Sequence, residues 1–147
     1  MDDKKTHELD TIINFIEDEN DLNEYITNTI SNSINFDFIN YLDKLIKEKN
    51  ISKANIINLA GIDRTYGYQI LNGRKNASRD KIIKICIAGK FTIEETNRLL
   101  SLGNYTRLYS KNPRDSIIIF SLNKGLSIID TDFLLDKYNQ IPLNEES

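Results

Sequence analysis

Ser52-Lys-Ala-Asn-Ile-Ile-Asn-Leu-Ala-Gly61-Ile-Asp63-Arg-Thr-Tyr-Gly-Tyr-Gln-Ile-Leu71-Asn-Gly-Arg74 is the stretch whose punctuation decides the fold. Ser52 is a polar cap ahead of a short apolar helix, and Ala60-Gly61-Ile62 breaks that helix. Asp63 caps a second helix, which closes at Asn72-Gly73. Two short helices joined at a glycine, the second with polar side chains outward, have the sequence shape of a helix-turn-helix.

On the N-terminal side, Phe36 to Lys49 predicts a helix with Phe38, Ile39, Leu42, Leu45 and Ile46 facing a core. Ser31-Asn-Ser-Ile-Asn35 predicts a polar linker before it. Farther upstream, Leu9, Ile12, Ile13 and Ile16, then Leu22, Tyr25, Ile26 and Ile30, recur at helical steps. The acidic run Glu17-Asp-Glu-Asn-Asp21 is expected to break this arm into two short helices.

On the C-terminal side, Ser78 caps a predicted helix through Ile82, Ile83, Ile85, Cys86 and Ile87 that stops near Gly89. Thr92-Ile-Glu-Glu95 is a capping box and opens a helix through Leu99, Leu100 and Leu102 to Gly103. The pattern then recurs. Arg79-Asp80, Ile82-Ile83, Thr96 and Leu99-Leu100 are followed thirty-five residues later by Arg114-Asp115, Ile117-Ile118, Thr131 and Leu134-Leu135. Asn112 as cap with Pro113 at the first helical position marks the second start. Two copies are too few for a free-standing solenoid, so the second is expected to stack on the first. Pro142 and the acidic tail are expected to end the fold. The organisation predicted is an acidic helical arm over 1–34, a helix-turn-helix domain over 35–103, and a helical hairpin over 104–147 that repeats 78–101. The fold class is all-α.

One cysteine among 147 residues allows no intramolecular disulfide, and no Cys/His cluster has metal-ligand spacing. No apolar run approaches the ~20 residues of a membrane span, and Met1-Asp-Asp-Lys-Lys5 opens no leader-like segment. A cytoplasmic protein without a membrane partner is expected. His7 is the only histidine, no glycine-rich phosphate loop is present, and the carboxylates fall on caps and solvated faces. The pattern points away from an enzyme and implies no cofactor and no metal.

The net charge of −3 is unevenly placed. Residues 1–24 carry nine acidic against two basic side chains, whereas residues 43–90 carry eleven basic against four acidic. The basic block coincides with the helix-turn-helix candidate. That is the electrostatic footprint of a phosphate-backbone binder inside an acidic chain.

Ser52 to Ser78 resembles the lambda-repressor-like, or XRE-type, DNA-binding family of bacterial and phage regulators. Tyr66-Gly-Tyr-Gln-Ile70, Gly73-Arg-Lys-Asn76 and Ser78-Arg-Asp-Lys81, with Arg114-Asp115-Ser-Ile-Ile-Ile119, resemble a branch of it from low-GC Gram-positive bacteria. The resemblance runs from Phe36 to Leu143 and implies a lambda-repressor-like fold. It also implies that Arg64, Thr65, Tyr68 and Gln69 read base edges, while Ser52, Lys53, Asn72, Gly73, Arg74, Lys75 and Arg79 contact phosphates. Three positions depart from the family pattern. Ile57 stands where alanine is usual and Gly67 where a bulky aliphatic is usual, so Ile57 is expected to pack on the backbone at Gly67. Leu71 stands where glutamate is common, exchanging a polar link for packing.

Two functions follow as expectations. The first is a homodimeric transcriptional regulator that lays helix 63–72 in the major groove of double-stranded DNA, with the N-terminal helices or the C-terminal repeat as dimer surface. The second is a protein-interaction module, antitoxin-like, adaptor or inhibitor, using the acidic arm or the C-terminal repeat, with weak or no DNA affinity.

Overall fold

The computed structural model of the chain describes residues 14, 16–24, 26 and 31–144, and side chains in its long first-domain helix from Phe36 onward. Among these residues there are eight α-helices and no strand. The chain divides into two compact units, Met1–Ile34 and Asn35–Ser147.

In the first unit, α1 spans Glu19–Glu24. Within the acidic run expected to break the arm, Glu17 and Asp18 are not helical and α1 begins at Glu19. The Asp21 N–H donates to Asp18 Oδ1 at 2.8 Å, and carboxylates in a first turn are favoured by the helix dipole. The expected apolar positions Leu9, Ile12, Ile13, Tyr25 and Ile30 lie outside the described residues.

A correction concerns the linker expected at Ser31–Asn35. Helix α2 spans Ser31–Glu48, so those residues are helical. Serine and asparagine are only weakly unfavourable within a helix, and propensity of that size yields to tertiary context.

The other helices follow their caps. Helices α3 (Lys53–Ala60) and α4 (Arg64–Leu71) are the two helices of the opening stretch. Helices α5 (Arg79–Ala88), α6 (Ile93–Leu102), α7 (Pro113–Lys124) and α8 (Ile128–Lys137) make up the repeat. Ser52, Asp63, Ser78, Thr92, Asn112 and Ser127 each accept a backbone N–H into the first turn. At α6 the box is reciprocal, with Glu95 N–H on Thr92 Oγ1 at 3.1 Å and Thr92 N–H on Glu95 Oε1 at 2.8 Å.

Helix α5 is central. Every residue from Ile82 to Ala88 is buried, as expected of a helix apolar nearly all round. It touches α3 and α6 on one side and α7 and α8 on the other. Leu42, Ile56, Ile70, Leu71, Leu99, Ile118 and Leu135 share one core with it, so residues on both sides of position 104 fold together.

The two repeat copies are joined by a reciprocal pair of ion pairs. Arg79 donates Nη1 and Nη2 to Asp115 at 3.0 and 2.9 Å, and Arg114 donates Nη1 and Nη2 to Asp80 at 2.8 and 2.9 Å. The remaining donors obey the same thirty-five-residue register. Arg79 also reaches the carbonyls of Thr106 and Arg107, and Arg114 those of Ile141 and Pro142. Planar bidentate pairs of this kind fix orientation as well as proximity.

Each helix from α2 to α8 ends in the same turn. Asn50, Gly61, Gly73, Lys90, Asn104, Gly125 and Asn139 are left-handed at φ 53, 68, 80, 58, 66, 65 and 60°. In each, two N–H groups return to the carbonyls of the helix just ended.

The fold does not stop at Pro142. Leu143 is buried, and Asp132 accepts the N–H groups of Leu143 and Asn144 at 2.6 and 3.1 Å. Asn144 then covers Gly61, where an added Cβ would lie 2.9 Å from its Nδ2.

Candidate nucleic-acid interface

The turn that sets α4 against α3 begins at Gly61, left-handed at φ 68°, whose N–H returns to Asn58 O. A residue with a Cβ is disfavoured in that conformation. The Asp63 carboxylate then accepts the Tyr66 N–H at 3.1 Å and starts α4. Where α3 and α4 cross, a Cβ on Gly67 would stand 2.8 Å from both Cγ1 and Cγ2 of Ile57. The expected exchange of large and small is therefore present, and Leu71 beside it is buried as packing.

With Gly67, Ile70 and Leu71 inward, the opposite side of α4 carries the remaining residues. Arg64, Thr65 and Asn72 are exposed and Tyr68 and Gln69 half-buried. Positions 65, 69 and 72 share one face, and positions 64 and 68 the adjoining one. The Arg64 guanidinium lies 6.0 Å from the centre of the Tyr68 ring, at the outer reach of a cation–π contact.

The flanks hold the other predicted residues. The Ser52 hydroxyl accepts the Asn55 N–H at 3.1 Å. Lys53 Nζ donates to Asn72 Oδ1 at 3.0 Å and lies 3.8 Å from Asp43, so the start of α3 is tied to the end of α4. Gly73 is left-handed at φ 80°, and the N–H groups of Arg74 and Lys75 both return to Gln69 O. The Arg74 and Lys75 side chains point outward as an exposed pair.

Arg79 is placed differently. Its Nε, Nη1 and Nη2 are engaged by two carbonyls and Asp115 inside the domain. It joins the two repeat copies and is not turned toward the other basic residues. The Arg-Asp recurrence was the sign of this in the sequence, but not which arginine meets which aspartate.

Two further residues were not singled out from the sequence. Asn55 and Asn58 line an open hollow of about 370 Å³ between α3 and α4, together with Ile57, Ile62, Arg64 and Tyr68. Their three-residue spacing on a helix whose other face is buried was the available signal. Tyr66, expected to cover core, does so in part. Its hydroxyl reaches Asn76 O at 3.4 Å and Lys81 lies 5.4 Å from its ring centre.

The arrangement offers guanidinium, hydroxyl and carboxamide groups on one outward face. Among the described residues there is no cluster of three or more potential metal ligands, and no helix is long and apolar enough to cross a membrane. Comparison with known protein families, with curated proteins and with solved structures finds no match in any of the three.

Proposed function

We propose that the chain is a sequence-specific DNA-binding transcriptional regulator of the lambda-repressor-like kind, acting as a homodimer with α4 in the major groove. The observation that carries this reading is the outward face of α4, where Arg64 and Thr65 are exposed and Tyr68 and Gln69 half-buried while Gly67, Ile70 and Leu71 are buried. An arginine can pair bidentately with guanine O6 and N7, and a glutamine with adenine N6 and N7. A threonine methyl or tyrosine ring suits the thymine methyl. Ser52, Lys53, Asn72, the Gly73 amide, Arg74 and Lys75 flank that face as the phosphate contacts that would fix register.

The test is binding to DNA from upstream of the protein's own gene, with Arg64→Ala and Gln69→Ala compared against the parent. Loss of roughly 1–3 kcal/mol per contact with relaxed sequence preference is expected. Unchanged preference would remove α4 from the readout. Binding with no steep fall as salt rises would move the protein to the interaction-module reading, because neutralised phosphates release counterions.

A further inference from the structure

The hairpins of the repeat are not covered alike. The outer face of α6 lies under α2. Arg98 sits 4.9 Å from the centre of the Tyr41 ring, Lys49 pairs with Glu95 at 3.0 Å, and Leu99 is fully buried. The thirty-five-residue register places Asp130, Phe133 and Leu134 of α8 at the positions of Glu95, Arg98 and Leu99. On α8 this face is open. Ile129 is 80% exposed, Phe133 68% and Tyr138 57%, and a groove of about 480 Å³ runs beside them between α7 and α8, lined in part by Phe120 and Leu134.

Folding of this chain does not require these side chains to be apolar, since the first copy has Glu94 and Arg98 at the positions of Ile129 and Phe133. The outermost repeat of a stacked array ordinarily turns a polar face to water, and a contiguous apolar patch of this kind marks a contact surface.

The pattern along α8 identifies what covers it. At 3.6 residues per turn, Ile129, Asp130, Phe133 and Lys137 lie within an arc of about 100° on one side. Two such helices laid antiparallel about the point between Phe133 and Leu134 are self-complementary. Asp130 meets the partner's Lys137, and Phe133 meets the partner's Phe133 beside the axis. A purely acidic helix would match the lysine and be repelled by Asp130 and Asp136.

We infer that the open face of α7 and α8 is the contact between two copies of the chain, with α8 packed antiparallel on the partner subunit's α8 about a two-fold axis. An isologous contact uses the same patch twice, so the Asp130–Lys137 pair occurs twice. The inference rests on the homodimer named in the proposed function, but its test contains no DNA and is decided separately from base reading.

The experiment is sedimentation of the full chain over a concentration series. The parent is expected to be a dimer. Asp130→Lys opposes two lysine pairs and is expected to weaken dimerisation by roughly tenfold or more. The double variant Asp130→Lys/Lys137→Asp is expected to recover it, because the charges again match. Phe133→Glu is expected to give a monomer with parental circular dichroism, its side chain being exposed. A monomeric parent, a Phe133→Glu variant still dimeric through another surface such as 1–34, or a double swap without recovery would each overturn the assignment.

Discussion

Ile57 lies across Gly67 so closely that the α3–α4 crossing has no room for a methyl group at position 67: both Cγ carbons of Ile57 would be 2.8 Å from it. Ile57 is β-branched and stiff, so relief would have to come from movement of the helices. Gly67→Ala is therefore expected to destabilise the parent by about 1–3 kcal/mol, the usual range for overpacking. In an Ile57→Ala background the same change should stabilise, because alanine is about 1 kcal/mol better than glycine in a helix. Urea denaturation of the four proteins checks this. Equal effects of Gly67→Ala in both backgrounds would show that the two residues are not coupled.

Arg79 and Arg74 should separate cleanly by experiment. Arg79→Ala leaves the buried Asp115 carboxylate without its bidentate partner, and breaking a buried pair costs about 3–5 kcal/mol. Arg74→Ala or Lys75→Ala removes only an exposed charge and should leave stability within about 0.5 kcal/mol. If DNA binding is as proposed, each of the latter two reduces the salt slope of binding by about one. Thermal melts and salt titrations on the same three variants give both readouts.

Acid should weaken the fold through the same contact. Burial pushes the Asp115 carboxyl up, but hydrogen bonds from Arg79 and from the Tyr109 N–H, with the charges of Arg79 and Arg114, outweigh it and hold it below its ordinary value. Glu95 moves in the same direction, where burial is outweighed by Thr92 and Lys49. The unfolded chain then binds more protons than the folded one in the interval between the two values. The contribution to stability is complete above about pH 4–5, the ordinary carboxylate range, and is lost as pH falls through the lowered folded values. Urea midpoints from pH 6 downward should show the decline. Asp115→Asn should start lower and vary less.

Cys86 and Ser121 occupy the same register position in the two copies and have opposite fits. Burial pushes the Cys86 thiol up to about 12, so it should be inert to thiol reagents until the chain unfolds. Reagent uptake should track the unfolding curve. Ser121 Oγ is buried with no hydrogen-bond partner. Ser121→Ala is expected to stabilise by about 1 kcal/mol, since it removes an unsatisfied polar group. A loss of stability would show that the hydroxyl is satisfied.

How much of this was legible in the sequence follows the range of each interaction. The caps at Ser52, Asp63, Ser78, Thr92 and Asn112 bond to residues three positions on, and all five helices begin where the sequence places them. The outward face of α4 was legible from helical periodicity alone. The continuous helix through Ser31–Asn35 was not, because no local signal opposed the polar composition. Nor was the inward turn of Arg79, since that depends on Asp115 from another copy.

A stacked array normally frays from its ends, because each repeat touches only its neighbours. Here Asn144, the last described residue, rests on Gly61, more than half the chain away. The segment after α8 is thereby tied to the α3–α4 turn. Amide hydrogen exchange should accordingly find α8 and the α3–α4 turn opening in a single cooperative event, with no graded loss of protection toward the C-terminus.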